Sequence, residues 1–391
     1  MANSLMKSTT MHPLIGHDQL QTSLGRACHL GNLPSGVLLH GGPGVGKQHL
    51  ALWIAQVLLC PHKTPSGPCM VCKSCRLSLK VGHPDLHWFF PVSRPKNTRP
   101  SNLGAALETA RQDSLIRKRK NFLRPTSAYT EIQGIYLATI KHLRNQVYKR
   151  PSMGSSQVFI LGDAQAMISR DSTSEAANAL LKILEEPPSG TFFLITCDIL
   201  RRLPATIISR TIPIHLAGIP TSEVKNFLME NLEIEEKKAD KSARLSRGSI
   251  GRSLGFLTED ENEGTLEFAR QKSFHLLRAC LQTNRTLIYQ ESIKLAGTSS
   301  RTLGPVIDSL GDALRDLALF ILGDQDKIVN TDTIRFLEGV CSKRNIHPRS
   351  ITESFGYLDQ AKEQMDSNVN AQLIITNLLI NVQEKLSGRS K

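Results

Sequence analysis

The chain contains little that would place it in or across a membrane. No segment approaches the ~18–20 consecutive apolar residues of a spanning helix, and the opening MANSLMKSTTMHPLIG lacks the apolar core of a secretory leader. Aromatic residues are scarce, at 5%, and no short-period repeat marks a solenoid. Acidic residues are in deficit: 35 Asp and Glu against 48 Lys and Arg leave a net charge of +13 and a pI near 9.5. That balance favours a polyanionic partner such as nucleic acid, although surplus charge also serves solubility. The eight cysteines include a cluster of four rather than a paired framework, which points to metal chemistry in a reducing compartment. A soluble, cytoplasmic protein is expected, and 391 residues imply two or three domains.

Residues 12–217 alternate strand-like apolar runs with helical patterns, the sign of an α/β parallel sheet. The strand candidates are GVLLH (36–40), DLHWFFPV (85–92), QVFILGD (157–163), GTFFLITC (190–197) and TIPIHL (211–216). Helices are expected over 48–59, 132–147 and 174–184, the last with Ala176, Ala179, Leu180, Ile183 and Leu184 on one face. Residues 93–128 show no clear periodicity and carry the basic run 117–120, so they read as a partly helical surface insertion. A short helical region (218–260) follows, and LTEDENEG (257–264) reads as a linker. Residues 261–391 then show only amphipathic or buried helical patterns, as in LGPVIDSLGDALRDLALFILG and NAQLIITNLLINVQEKL.

GGPGVGKQHL (41–50) lies between a strand and a helix, the context of a phosphate loop. Gly41, Gly44, Gly46 and Lys47 fit the pattern, whose backbone N–H groups and lysine cradle phosphates. Gln48 stands where a Ser or Thr hydroxyl should meet Mg²⁺. The strand QVFIL runs into Gly162-Asp163, so the metal-holding acidic partner is reduced to Asp163, one place late. Nucleotide binding stays open, whereas Mg²⁺ and hydrolysis are not expected. Thr196 ends a central strand, near where a γ-phosphate would sit.

Cys60, Cys69, Cys72 and Cys75 read C-x₈-C-x₂-C-x₂-C, which suits a closed tetrahedral structural zinc site. His62 and His83 are expected to be solvated loop residues, and Cys28, Cys197, Cys280 and Cys341 to be packing residues. Ser209-Arg210 precede the last strand. By position alone Arg210 is a surface charge, or a residue that reaches a neighbour's phosphate site in an oligomer.

Taken together, NALLKILEEPPSGTFFLITCDILRRLPATIISRT, the phosphate loop, LIGHDQL and the inserted cysteines resemble bacterial clamp-loader proteins of the AAA+ class. The cysteine module is similar to that of the tau/gamma and delta-prime subunits of DNA polymerase III. The resemblance covers about residues 12–255. It implies an AAA+ α/β domain (1–217) with a zinc module (about 60–75), a helical lid (218–260) and an all-α collar (261–391). It further implies work within a clamp loader beside tau/gamma and delta subunits, the sliding clamp and primer-template DNA. The departures at Gln48, Gly162-Asp163 and Gly251 (where a second sensor arginine is expected, with Arg252 one place late) resemble delta-prime, the stator that does not hydrolyse ATP. By that resemblance Arg210 acts in trans on ATP held by a neighbour. The alternatives are an active tau/gamma-like ATPase and a stand-alone zinc-dependent DNA-binding factor.

Overall fold

The computed structural model describes residues 14–387 except 96–97, 121, 124–132, 168–174, 258–263, 283, 297–299 and 366–368. The chain divides into two units, residues 1–254 and 255–391. In the first, α1 (Asp18–His29) precedes β1 (Gly36–His40), the phosphate-loop turn and α2 (Lys47–Leu59). Then come α3 (Lys73–Leu79), β2 (Leu86–Phe89), β3 (Val92–Ser93), α4 (Leu103–Lys120), β4 (Gln133–Gly134) and α5 (Leu137–Val147). The remainder is β5 (Gln157–Leu161), α6 (Glu175–Glu185), β6 (Thr191–Cys197), α7 (Ala205–Ile208) and β7 (Ile212–His215). Three short helices complete the unit: α8 (Thr221–Leu232), α9 (Glu236–Ser246) and α10 (Ile250–Leu254).

Five strands form one parallel sheet in the order β2-β5-β6-β1-β7. Both faces are covered over β1, β5 and β6, so their middles are continuous apolar runs rather than alternating ones, whereas the edge strand β7 is largely exposed. Strand periodicity still divides their side chains. Val37, Leu39, Val158, Ile160 and Leu194 pack toward α2 with Leu50 and Ile54. Leu38, Phe159, Leu161, Phe193 and Ile195 pack toward α5 and α6 with Leu143, Leu180 and Ile183. Leu143 is fully buried in that second layer. Leu143→Ala is expected to cost about 2–5 kcal/mol, from lost burial plus the cavity left behind. Urea unfolding followed by tryptophan fluorescence checks this, because Trp53 and Trp88, the two tryptophans, both lie in this unit.

The expected strands and most helices fall where the periodicity puts them, with two corrections. The helix expected over 132–147 begins only at Leu137, because Gln133–Gly134 pair with β3 in an antiparallel ribbon; 132 itself lies outside the described residues. The insertion is more ordered than its sequence suggests: α4 is an 18-residue helix along the edge strand β2. Its periodicity is hidden because Arg111 holds a core-facing position. That guanidinium donates to Trp88 O (2.9 Å) and to Glu108, and lies 4.8 Å from the Phe89 ring centroid. Residues 96–97, 121 and 124–128 of the insertion lie outside the described residues, as do 258–263 of the linker.

The second unit contains α11 (Thr265–Cys280), α12 (Thr286–Ala296), α13 (Ser300–Ile321), α14 (Ile334–Cys341), α15 (Pro348–Met365) and α16 (Ala371–Leu386). Its core includes Leu277, Leu310, Leu314, Leu317, Leu358 and Leu379. Asn370 caps α16 by accepting the Gln372 N–H at 2.8 Å. Buried Asp316 accepts from the backbone N–H of Val329 and Asn330 and from the Asn330 amide, which ties down the turn after α13.

Candidate functional site

Parallel sheets place ligand sites at the carboxyl ends of their strands, and here β1, β5 and β6 converge there. The turn after β1 needs glycine at Gly41, where an added Cβ would sit 2.2 Å from Leu216 O. Gly46, at φ 100°, then starts α2.

The turn is occupied by the chain's own groups. Buried Lys47 donates to Gly41 O (2.9 Å) and Gly42 O (2.6 Å) and pairs with Asp198 Oδ1 at 2.6 Å. Gln48 Nε2 donates to Asp163 Oδ2 at 2.8 Å. Asp163 N–H donates to Thr196 Oγ1 at 3.0 Å, and Thr196 is fully buried at the end of β6. Burial, then the nearby Asp198 carboxylate, raise the Asp163 pKa above the ordinary carboxylate value. From the other side Ser249 Oγ donates to Pro43 O (2.9 Å), and Gly251 N–H donates to Gly44 O (3.0 Å). Thus the start of α10 closes onto the loop through the Ser249 hydroxyl and the Gly251 backbone N–H.

The sequence brought Gly41, Gly44, Gly46, Lys47, Gln48, Asp163 and Thr196 together as one candidate site, and the structure assembles them. It corrects one inference about them. The changes at 48 and 162 look like separate losses, but they are in contact. An added Cβ at Gly162 would lie 3.1 Å from the Gln48 amide carbon and nitrogen. The longer Gln48 side chain takes the space that a side chain at 162 would fill, then bonds to Asp163. A neutral amide therefore spans the interval that a cation bridges in a magnesium-dependent site. Sequence reading missed Asp198, Ser249 and the backbone role of Gly251. Asp198 was legible as an acid two places beyond the Thr196 strand end; the other two act through the closure of α10.

Arg210 and Ser209 are not part of this cluster. Arg210 Nη2 pairs with Glu185 Oε1 at 2.5 Å, and Nη1 donates to Thr206 O at 3.0 Å and Ser209 Oγ at 3.4 Å. Its carbonyl faces Gly36, the first residue of β1: an added Cβ there would be 3.0 Å away. The five-residue β1 separates Gly36 from Gly41 by about 16 Å at ~3.3 Å per residue. Arg210 thus lies at the opposite end of the sheet from its own phosphate loop.

The four cysteines meet between α2 and α3. Their sulfurs all lie within 4.8 Å of one another, with Cys60–Cys72 at 3.9 Å and Cys69–Cys75 at 4.0 Å. Four thiolates at ~2.3 Å from one zinc ion would stand roughly 3.8 Å apart, so the cluster fits such an ion and can hold a metal. Backbone N–H groups point at the sulfurs: Cys69 N–H donates to Cys60 Sγ and Cys75 N–H to Cys72 Sγ. Backbone donors from Cys72 and Val71 lower the Cys69 thiol to about 6, whereas burial raises Cys60 and Cys75. His62 is exposed as expected. His83 is not the solvated residue its loop position suggested: it is buried, and its Nδ1 accepts the Asp85 N–H at 3.1 Å. The basic run also departs from expectation, since Lys118 Nζ lies 5.0 and 4.8 Å from the ring centroids of Trp88 and Phe90.

Known proteins share these features. The chain is 30% identical over 197 residues to DNA polymerase III subunit delta' of Yersinia pestis, covering 50% of this chain and 44% of that one. It is 24% identical over 349 residues to the delta' subunit of Bacillus subtilis, covering 89% of this chain and 90% of the relative. Identity to DNA polymerase III subunit tau/gamma of Haemophilus influenzae is 25% over 354 residues, or 86% of this chain and 45% of that protein. The chain thus spans less than half the length of the first and third of these relatives. The profile of the family described as DNA polymerase III, delta subunit, matches residues 16–220, about half of the chain, and with these relatives it makes the chain a member of the DNA polymerase III clamp-loader family.

Proposed function

We propose that this chain is a non-hydrolysing, delta-prime-like subunit of a replicative clamp loader. The observation that carries this reading is the Gln48–Asp163 hydrogen bond across Gly162. Gln48 supplies no hydroxyl ligand for a cation, and its amide engages the remaining carboxylate, Asp163. Lys47, paired with Asp198 and the loop carbonyls, is drawn away from a triphosphate. Any ATP or ADP held here would be bound without the magnesium geometry that phosphoryl transfer needs.

In this reading residues 1–217 act as the AAA+ domain, 218–260 as its lid and 261–391 as a collar that joins neighbouring subunits. The four cysteines hold a structural zinc ion. The partners are tau/gamma and delta subunits, with the sliding clamp and primer-template DNA reached through the assembly, in the cytoplasm at the replisome. Arg210 completes the ATP site of an adjacent tau/gamma subunit. Its position is consistent with action in trans, because it cannot reach its own loop.

Turnover of ATP by the purified chain in excess Mg²⁺ is the direct test. No release of phosphate above the protein-free rate is expected. Sustained turnover abolished by Lys47→Ala would overturn the stator reading in favour of a tau/gamma-like ATPase.

A further inference from the structure

Two helices of the first unit build a basic surface that the proposed function does not use. Gly104 lies against Ala138, where an added Cβ would be 4.0 Å from the alanine Cβ. Four residues on, Glu108 Oε2 stands 3.7 Å from His142 Nε2. The offset is the same at both contacts (138 − 104 = 142 − 108 = 34), so α4 and α5 run parallel. Their carboxyl ends therefore emerge together, at the amino-terminal end of β2 and β5. Arg119 confirms that end by donating to Val81 O just before β2.

Lys118 turns inward over Trp88 and Phe90, which leaves Arg117 and Lys120 exposed at the end of α4. From α5 and the turn after it come Arg144, Lys149 and Arg150, all exposed. None of these five cations forms an ion pair among the described residues. Tyr148, one helical turn beyond Arg144, is 63% exposed among them.

Among the described residues, little acid offsets this charge. Residues 137–162 contain no Asp or Glu. Of the carboxylates at this end of the sheet, Asp85 is buried and accepts the N–H groups of Ser152 and Met153, and Glu185 is paired with Arg210; Glu186 is exposed. Glu108 is engaged by Arg111 and Gln112. Asp113 remains as an exposed acid on the same helix, one turn before Arg117.

We propose that this surface binds single-stranded nucleic acid directly, with Tyr148 stacking on a base and the five cations following the phosphates. A wet, unpaired aromatic ring among cations is the arrangement that serves unstacked bases. A duplex would meet the cations but present no free base face to Tyr148. An acidic protein surface would use the cations and have no need of the ring. The inference stands on this surface alone and is independent of how the phosphate loop or Arg210 is read.

The test is fluorescence anisotropy of a labelled oligothymidylate of about twenty nucleotides with the full chain at several salt concentrations. Binding in the range of roughly 10⁻⁴–10⁻⁶ M is expected, with log affinity falling by about 0.7 per phosphate contact against log salt. Lys149→Glu combined with Arg150→Glu should flatten that slope by about 1.4. Tyr148→Ala should weaken binding about tenfold with the slope unchanged, and Tyr148→Phe should restore it. Absence of binding would overturn the proposal. So would binding indifferent to Tyr148, or duplex bound as tightly as the single strand, since both leave the ring without a role. All these positions are exposed, and unchanged circular dichroism of the variants guards against unfolding.

Discussion

Replacing Arg210 by alanine is expected to lower ATP turnover by the reconstituted clamp-loader assembly by about 10³- to 10⁵-fold per site served, the range for loss of an arginine finger. Total turnover should fall less if other subunits keep intact sites. Three features of its surroundings support so large an effect. It stands at the start of β7, beside Gly36, a full strand length from its own loop. Its guanidinium is held outward by Glu185 and by the Thr206 carbonyl. That pair is exposed on both sides, and such pairs are worth only about 0–1 kcal/mol. Glu185 can therefore orient the arginine and release it to a phosphate at little cost. Phosphate release by the assembly measures the effect, and gel filtration checks that the variant still assembles. Normal turnover with Arg210→Ala would remove the trans role. It would leave the closed phosphate loop, tested by the isolated chain, unaffected.

Removal of metal from the four-cysteine cluster should lower the thermal midpoint of the first unit by roughly 5–10 °C, equivalent to a loss of about 3 kcal/mol. The reason lies in what the cluster organises. The seven-residue α3 is too short to persist without tertiary support, and Cys72 caps it by accepting the Cys75 N–H. Cys60 ends α2, which underlies the sheet, so the ion would tie α3 to the core. The loop between them also holds α1: His29 Nδ1 lies 3.2 Å from Lys63 O, and Gly25 packs on Pro65. Without metal, the buried Cys60 and Cys75 thiols would protonate and the sulfur cluster would lose its centre. Zinc content of the purified chain, then melting with and without chelator and for Cys72→Ser, reads this directly. A chain purified without zinc, whose Cys72→Ser variant melts at the wild-type temperature, would exclude a structural ion.

Much of this was legible because it is local. The runs that became β1, β5 and β6 are buried on both faces and so are apolar between their ends. The phosphate loop and the cysteine spacing are local for the same reason: one turn of chain carries most of each pattern. What escaped depends on distant partners. Arg111 disguised α4 because its charge is satisfied by Trp88 O and Glu108. His83 looked solvated although Asp85 is only two places on, because the Ser152 and Met153 amides that hold Asp85 reach it only in the fold.

The chain's own order of residues determined the parallel sheet, the degenerate loop at Gln48 and the thiol set at 60, 69, 72 and 75. It also determined that Arg210 would precede a strand. Only the tertiary structure decided that Gln48 and Gly162 form one contact, because 114 positions separate them and shape complementarity has no local signature. Likewise only packing joined α10 to the loop and set the end of α4 beside that of α5. Backbone and side-chain groups far apart in the chain acquire such meanings when a sheet fixes the distance between them.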